Sequence, residues 1–77
     1  MTEVKFGRVW RNRELVGYCS FVDEKGRTVE IFCPPYKSLE VYVSGEKVKV
    51  QPEHVMIWTK VAGWLGIEET KRTIRKH

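Results

Sequence analysis

The sequence has few of the residues that build metal sites, and it has no segment typical of a membrane protein. It contains two cysteines and two histidines in 77 residues, and His54 and His77 lie too far apart to suggest a ligand pair. No apolar run reaches the roughly 18 residues of a membrane span. The N-terminus lacks the charged, apolar, small-residue order of a signal peptide. We therefore expect a cytoplasmic protein with no metal, no cofactor and no membrane partner.

The residue patterns typical of enzymes are missing as well. Cys19 has no histidine near it in the chain, and the sequence shows neither a carboxylate pair nor a phosphate-binding glycine loop. We therefore expect no enzymatic activity. A small barrel nuclease that uses Lys, Arg and Tyr is an alternative that the sequence leaves open.

The length predicts a single domain, residues 1–77, with a β part in residues 1–51 and a helical part in residues 52–77. The net charge of +4 comes from the two ends of the chain. Clustered basic residues are typical of proteins that bind a polyanion. The alternative is that they are ordinary solvated surface charge. The basic residues at the ends are Lys5, Arg8, Arg11, Arg13, Lys71, Arg72, Arg75 and Lys76.

Residues 16–33 predict a β-hairpin on which the rest of the fold can be built. Two runs of alternating aromatic or β-branched residues flank the tetrapeptide D-E-K-G. Asp23 in first place and Gly26 in fourth suit a type I turn followed by a left-handed residue. The resulting register places Tyr18 opposite Phe32.

This register gives the hairpin two different faces. The apolar face carries Cys19, Phe21, Val29, Ile31 and Cys33. The other face, which we call the mixed face, carries Tyr18, Ser20, Val22, Glu30 and Phe32. Cys19 and Cys33 lie diagonally on their shared face, which favours two free thiols, whereas a slip of the register would allow a disulfide.

The preceding segment predicts a third strand in the same sheet. Val4 to Arg11 alternates, and Asn12-Arg13 suits the centre of a tight turn because asparagine tolerates positive φ. Arg11 then lies opposite Glu14. The apolar face gains Val4, Phe6, Trp10 and Leu15, and the mixed face gains Lys5, Gly7, Val9 and Arg11.

A second hairpin follows the strand end at Pro34-Pro35. Residues 39–44 and 47–51 flank Gly45-Glu46, which predicts a type II′ turn with Val43 opposite Val48. The three-stranded and the two-stranded part each have an apolar face that must be covered, so we expect the sheet to curl over itself into a small barrel or sandwich. The predicted fold class is therefore α+β and mostly β: a small five-stranded antiparallel barrel with a C-terminal helical segment.

The C-terminal segment predicts helix. Pro52 suits the first turn, and eight of the eleven residues from Val55 to Leu65 are apolar. A helix this apolar needs cover on more than one side, so we expect a homodimer through residues 55–65. We also expect Gly66 to break the helix and residues 68–77 to form another one. A strand over residues 54–60 is the alternative.

Four motifs come in the order and rough spacing of a cold-shock domain. They are Gly7-Arg8-Val9-Trp10, Gly17-Tyr18 to Phe21, Glu30-Ile31-Phe32 and Gly45-Glu46-Lys47-Val48. Residues 7–50 thus resemble this family of five-stranded OB barrels, which bind single-stranded DNA or RNA on exposed aromatic rings. The resemblance implies that Tyr18 and Phe32 stack on bases. It implies the same role for Trp10, although the register turns Trp10 towards the apolar face.

A second resemblance covers residues 61–70. The run V-A-G-W-L-G-I-E-E-T is similar to the A-x-x-L-G-I-x-x-x-T of a helix-turn-helix, which implies a DNA-binding regulator whose second helix enters the major groove. A core helix followed by a basic tail is the alternative.

These patterns together favour a non-catalytic nucleic-acid-binding protein. The expected site combines basic side chains with exposed aromatic rings: Lys5, Arg8, Trp10, Arg11, Arg13, Tyr18, Phe32, Lys71, Arg72, Arg75 and Lys76. The alternative is a protein-interaction module or inhibitor that uses the apolar helix over residues 55–65.

Overall fold

The chain forms one antiparallel sheet and one long helix in a computed structural model that describes the backbone of residues 3–75 and the side chains of residues 3–67. The described elements are β1 (Lys5–Arg11), β2 (Glu14–Val22), β3 (Thr28–Cys33), β4 (Glu40–Val43), β5 (Glu46–Val48) and α1 (Pro52–Arg75). Each strand pairs with the next one in the sequence. The predicted α+β class is confirmed. The described sheet is not closed, so barrel closure stays a prediction.

The register of the first three strands is the one that the sequence predicts. Arg11 lies opposite Glu14, and Tyr18 lies opposite Phe32. Asn12 and Arg13 both have positive φ, 51° and 65°, as a type I′ turn requires. The second turn ends at Gly26, with a φ of 79°.

The predicted register of the second hairpin is wrong by two residues. Val41, rather than Val43, lies opposite Val48, and β5 begins at Glu46. The turn is Ser44-Gly45, where both residues have positive φ, 51° and 84°. This is again a type I′ turn, whose twist matches that of the flanking strands. A shift by two residues keeps every side chain on its predicted face.

Helix α1 begins at Pro52, as predicted, and its first turn is capped by His54. The backbone N–H of Gln51 donates to Nδ1 of His54 at 3.0 Å, and the N–H of His54 donates to the carbonyl of Gln51 at 3.0 Å. The bond to the His54 side chain is one half of a capping box, and the backbone bond closes the first turn of the helix. The alternative of a strand over residues 54–60 is therefore wrong.

The helix break expected at Gly66 is also wrong. The backbone of α1 is helical through Gly63 and Gly66 as far as Arg75. A glycine lowers helix stability by only about 1 kcal/mol relative to alanine, which the surrounding turns can offset. The described backbone thus has no turn within residues 61–70, and the helix-turn-helix interpretation lacks the turn that it requires.

The apolar face of the sheet forms the core with α1. The fully buried side chains of this core are Cys19, Val29, Ile31, Val41 and Val61. Ile57, Trp58 and Leu65 of the helix pack around them. Since only one face of the sheet is covered by the helix, the mixed face lies on the opposite side.

The apolar face is not buried along its whole length. Trp10 is 75% exposed, and Leu15 opposite it is also exposed. Trp58 packs on Gly17, which belongs to the neighbouring pair on the same face. The helix therefore lies over the Arg8–Gly17 pair and does not cover the Trp10–Leu15 pair. The expectation that Trp10 and Leu15 are buried is wrong.

The two cysteines are free thiols in different environments. Cys19 is fully buried, whereas Cys33 is half-buried. Burial raises the pKa of Cys19 from 9.0 to about 11, and a hydrogen bond from the backbone of Ile31 opposes this shift.

We expect Cys19 to make the fold less stable at alkaline pH. The unfolded chain releases the thiol proton near pH 9.0, whereas the folded chain holds it to about pH 11. Above pH 9.0 the free energy of unfolding should therefore fall as the pH rises. Urea denaturation of the parent and of Cys19→Ala, measured across this window, isolates the effect because the two proteins differ only in this thiol. If the free energy of unfolding fell equally steeply with pH in the two proteins, the burial of this thiol would be contradicted.

Two strand glycines provide a matched test of helix packing. A Cβ on Gly17 would lie 2.7 Å from the Cη2 atom of Trp58, whereas a Cβ on Gly7 would meet nothing within 4 Å. We expect Gly17→Ala to lower the free energy of unfolding by about 1–3 kcal/mol, because the indole must move. Gly7→Ala should be neutral or stabilising by up to ~1 kcal/mol. Chemical denaturation of both variants checks the pair, and similar values for both would argue against the contact between Trp58 and Gly17.

Candidate nucleic-acid interface

A row of three aromatic rings crosses the mixed face on neighbouring strands. Tyr18 of β2 and Phe32 of β3 lie opposite each other, with ring centroids 5.1 Å apart and planes tilted by 46°. Tyr42 of β4 lies diagonally to Phe32, with centroids 5.7 Å apart and an edge-on geometry. These distances and angles are typical of stabilising aromatic pairs. The row therefore holds its shape through its own ring contacts.

The guanidinium of Arg11 lies on this row. Its Cζ atom is 4.3 Å from the centroid of Phe32 and 5.4 Å from that of Tyr42. Nη2 donates to the hydroxyl of Tyr42 at 2.9 Å, and Nη1 lies 3.2 Å from Oε1 of Glu40. Arg11 thus reaches from β1 across to β4, and its planar group is held by an ion pair, a hydrogen bond and two rings.

These contacts stabilise the protonated form of Arg11. The hydrogen bond with Tyr42 is the largest cause that raises the pKa of Arg11, desolvation opposes it, and the hydrogen bond and charge of Glu40 add to the rise. The side chain is still 30% exposed. The mixed face therefore presents a fixed cation whose position is set by its neighbours.

Two carboxylates orient the tyrosine rings. The hydroxyl of Tyr18 donates to Oε2 of Glu30, and the hydroxyl of Tyr42 donates to Oε1 of Glu40, each over a long 3.3 Å. Glu40 is compensated by Arg11, and Glu14 lies 3.6 Å from Nζ of Lys37. Much of the negative charge near the aromatic row is therefore already paired.

Two lysines lie on either side of the aromatic row. Lys5 of β1 lies opposite Ser20, and Lys47 of β5 lies opposite Tyr42. Neither makes an ion pair with a side chain in the part of the chain that the structure describes. These two exposed ammonium groups can therefore approach an anion without first breaking a salt bridge.

The structure brings together only part of the predicted site. Lys5, Arg11, Tyr18 and Phe32 share the mixed face. Arg13 lies in the β1–β2 turn. The predicted residues Arg8 and Trp10 lie on the helix side of the sheet instead, because they alternate with Arg11 along β1. The side chains of Lys71, Arg72 and Arg75, and the whole of Lys76, lie outside the described residues.

The sequence prediction missed Tyr42 and Glu40 as members of the site. The alternation along Glu40–Val43 already places both side chains on one face of β4. Their contact with Phe32 depends on the β3–β4 register, which pairs Phe32 with Glu40 and Glu30 with Tyr42. That register follows from the loop of residues 34–39, where Tyr36 has a φ of 58°.

A cleft of about 320 Å³ lies on the helix side of the sheet. It lies beside Trp58 and is lined by Arg8, Gly17, Cys33, Ala62, Leu65 and Gly66. Among the described residues, no group of three or more His, Cys, Asp or Glu side chains is placed to hold a metal ion. Within the same residues, no helix has the length and apolar character that crossing a membrane requires.

Comparisons with protein-family models, with curated proteins and with solved structures find no match for this chain. The resemblance of residues 7–50 to a cold-shock domain therefore stays a prediction, as does the resemblance of residues 61–70 to a helix-turn-helix, whose turn the described backbone lacks.

Substitutions at Arg11 and Lys5 test whether the contacts of Arg11 stabilise the aromatic row. Both residues belong to β1 and lie on the same face, so Lys5 serves as the control. We expect Arg11→Ala to lower the free energy of unfolding by about 1–2 kcal/mol, because the contacts with Phe32, Tyr42 and Glu40 are lost. Arg11→Lys should restore only part of this stability, since an ammonium cannot reproduce the planar fork. Lys5→Ala should change it by less than about 0.5 kcal/mol. Thermal and urea unfolding of the three variants measure the differences. Equal losses of unfolding free energy in Arg11→Ala and Lys5→Ala would show that the contacts of Arg11 do not stabilise the fold.

Proposed function

We propose that the protein binds single-stranded DNA or RNA through the mixed face, without catalysing a reaction. The observation that carries the proposal is the row of Tyr18, Phe32 and Tyr42 with the guanidinium of Arg11 held 4.3 Å above Phe32. Proteins that bind single strands combine a surface on which bases stack with cations that follow the phosphates. The mixed face offers both within one sheet.

The stacking surface consists of the Tyr18 ring and the guanidinium of Arg11. The guanidinium of Arg11 lies 4.3 Å from the centroid of Phe32 while its side chain stays 30% exposed, and bases stack on guanidinium groups as they do on aromatic rings. Because Glu40 and Tyr42 already hold this plane, Arg11 loses little side-chain entropy when a base binds. Phe32 therefore acts mainly as the support of Arg11.

Phosphate contacts come from the cations around the row. Arg11 lies on the row itself, whereas Lys5 and Lys47 lie on strands to either side of it. A single strand that crosses the sheet over the rings can thus meet an ammonium group at each side. Such contacts release counterions, which makes the affinity depend strongly on salt.

The stacking role predicts a difference between two tyrosines. Tyr18 belongs to the row, whereas Tyr36 is fully exposed in the β3–β4 loop. Tyr18→Ala should weaken binding to labelled DNA and RNA single strands by about 1–3 kcal/mol, which is the usual value of one stacked base. Phe32→Ala should weaken it similarly, because Arg11 loses its support. Tyr36→Ala should bind like the parent, and fluorescence anisotropy measures all three.

The salt dependence gives a further check on the same interface. Two phosphate contacts, at Lys5 and Lys47, predict a log–log slope of affinity against salt of about −1.4, and Lys5→Gln or Lys47→Gln should each reduce its magnitude by about 0.7. Anisotropy titrations at several salt concentrations measure the slopes. A parent protein that binds no single strand at low salt, or that loses equal affinity through Tyr36→Ala and Tyr18→Ala, would refute the proposed function.

A further inference from the structure

Strand β1 forms one edge of the described sheet, where it pairs only with β2. The two-residue turn at Asn12-Arg13 makes Arg11 and Glu14 a hydrogen-bonded pair, and such pairs alternate with non-hydrogen-bonded pairs along an antiparallel ladder. Phe6 and Trp10 therefore direct their N–H and C=O groups away from β2. Among the described residues, neither of them makes another backbone hydrogen bond.

The length and regularity of β1 suit pairing with a further strand. β1 has seven residues and no proline, and its register with β2 is continuous from Lys5 to Arg11. The strand at the other edge of the sheet, β5, has only three residues. Short edge strands and edge strands interrupted by proline or a bulge resist pairing, whereas a long regular edge can accept another strand.

Helix α1 extends beyond the edge that β1 forms. Trp58 packs on Gly17 of β2. Farther along the helix, Trp64 contacts Phe6 of β1, with ring centroids 5.7 Å apart. The helix thus runs from β2 towards β1, and residues 67–75 continue it for about 13 Å. Because neighbouring strands lie about 4.8 Å apart, this segment reaches over the position that a further strand beside β1 would take. We call β1 together with this segment the open edge.

Exposed apolar side chains lie on the helix side of the open edge. Phe6 and Trp10 of β1 are both exposed on this side. Trp64 and Ile67 of α1 are exposed as well, and Trp64 already contacts Phe6. A further strand beside β1 would remove part of this apolar surface from water if its own side chains on the helix side were apolar.

The charge of β1 determines which kind of strand fits. β1 carries Lys5, Arg8 and Arg11 and no acidic residue. A second copy of β1 would bring the same three cations alongside, which disfavours pairing between two copies. Lys5 lies on the mixed face and makes no ion pair with a described side chain. A strand with carboxylates on that face complements the charge of β1.

We propose that the open edge binds an extended segment of a partner protein in which apolar and acidic residues alternate, and that this segment adds an antiparallel strand to the sheet. Its apolar residues lie opposite Phe6 and Trp10 and pair with their backbone, since directly opposite residues share a face. Its acidic residues then lie on the same face as Lys5. Strand addition of this kind combines backbone affinity with side-chain specificity.

Fluorescence anisotropy tests the proposal with a labelled peptide of about ten alternating valine and glutamate residues and the full-length protein. Because no nucleic acid is present, the result does not depend on the proposed function. We expect a dissociation constant in the micromolar range. N-methylation of the valines should weaken binding at least about 10-fold, because it removes the N–H groups that pair with Phe6 and Trp10. N-methylation of the glutamates, the matched control, should have little effect, since their N–H groups point away from β1.

Two substitutions at Trp10 provide the corresponding test on the protein. Trp10→Pro removes the outward N–H without breaking the ladder between β1 and β2, whereas Trp10→Ala keeps this N–H. We expect Trp10→Pro to bind the peptide at least about 10-fold more weakly than Trp10→Ala. Circular dichroism verifies that both variants are folded, and the two N-methylated peptides test the proposal on the parent even if Trp10→Pro does not fold.

Weaker binding of the peptide with N-methylated valines and weaker binding by folded Trp10→Pro would together support the proposal. A parent that does not bind the peptide would overturn it. Equal binding of the two N-methylated peptides, or equal binding by the two Trp10 variants, would also overturn it, because charge rather than strand pairing would then hold the peptide. A parent that sediments as a dimer and becomes monomeric through Trp10→Pro would overturn it as well, because a second copy would then occupy the open edge.

Discussion

The register between β2 and β3 is the constraint on which the rest of the structure depends, and the carboxylate of Asp23 holds it in place. Oδ1 of Asp23 accepts from the N–H groups of Lys25 and Arg27, each at 2.9 Å, and Oδ2 pairs with Nε of Arg27 at 2.8 Å. The N–H of Arg27 is the main cause that holds the pKa of Asp23 below its ordinary value. A slip by one residue would move every side chain of a strand to the other face. Either Cys19 would then leave the core and Tyr18 would enter it, or Ile31 would leave the core and Phe32 would enter it.

The sequence predicts this part of the fold well because short turns are governed by local chemistry. Asn12-Arg13 and Asp23 to Gly26 each determine a register through the φ values that their residues accept. The predicted register of the second hairpin is wrong because Gly45 fits the first position of a type II′ turn as well as the second position of a type I′ turn, and both turns match the strand twist. Sequence could not show that Phe32 contacts Tyr42, because the loop of residues 34–39 follows no short-turn rule. The exposure of Trp10 was also unpredictable, since it depends on where α1 crosses the sheet.

The mixed face shows how a charged group can be both structural and accessible. Arg11 stabilises the aromatic row through Phe32, Tyr42 and Glu40. Because the same contacts fix its guanidinium, Arg11 cannot move to a phosphate without breaking them. A cation that must leave Glu40 would lose an ion pair before gaining another. A base that stacks on the exposed side of the guanidinium requires no such loss. The geometry therefore favours stacking at Arg11 and phosphate contacts at Lys5 and Lys47, a division of roles that the sequence alone could not indicate.

Helix α1 covers only part of the apolar face, so residues of that face have different environments. Val61 is buried against the sheet, and the ring centroids of Phe6 and Trp64 lie 5.7 Å apart where the helix passes β1. Trp10, on the same face of β1, is 75% exposed because the helix does not reach it. The helix lies on the apolar face and therefore does not cover the aromatic row. The position of α1 thus leaves the mixed face open to the single strand that we propose it binds.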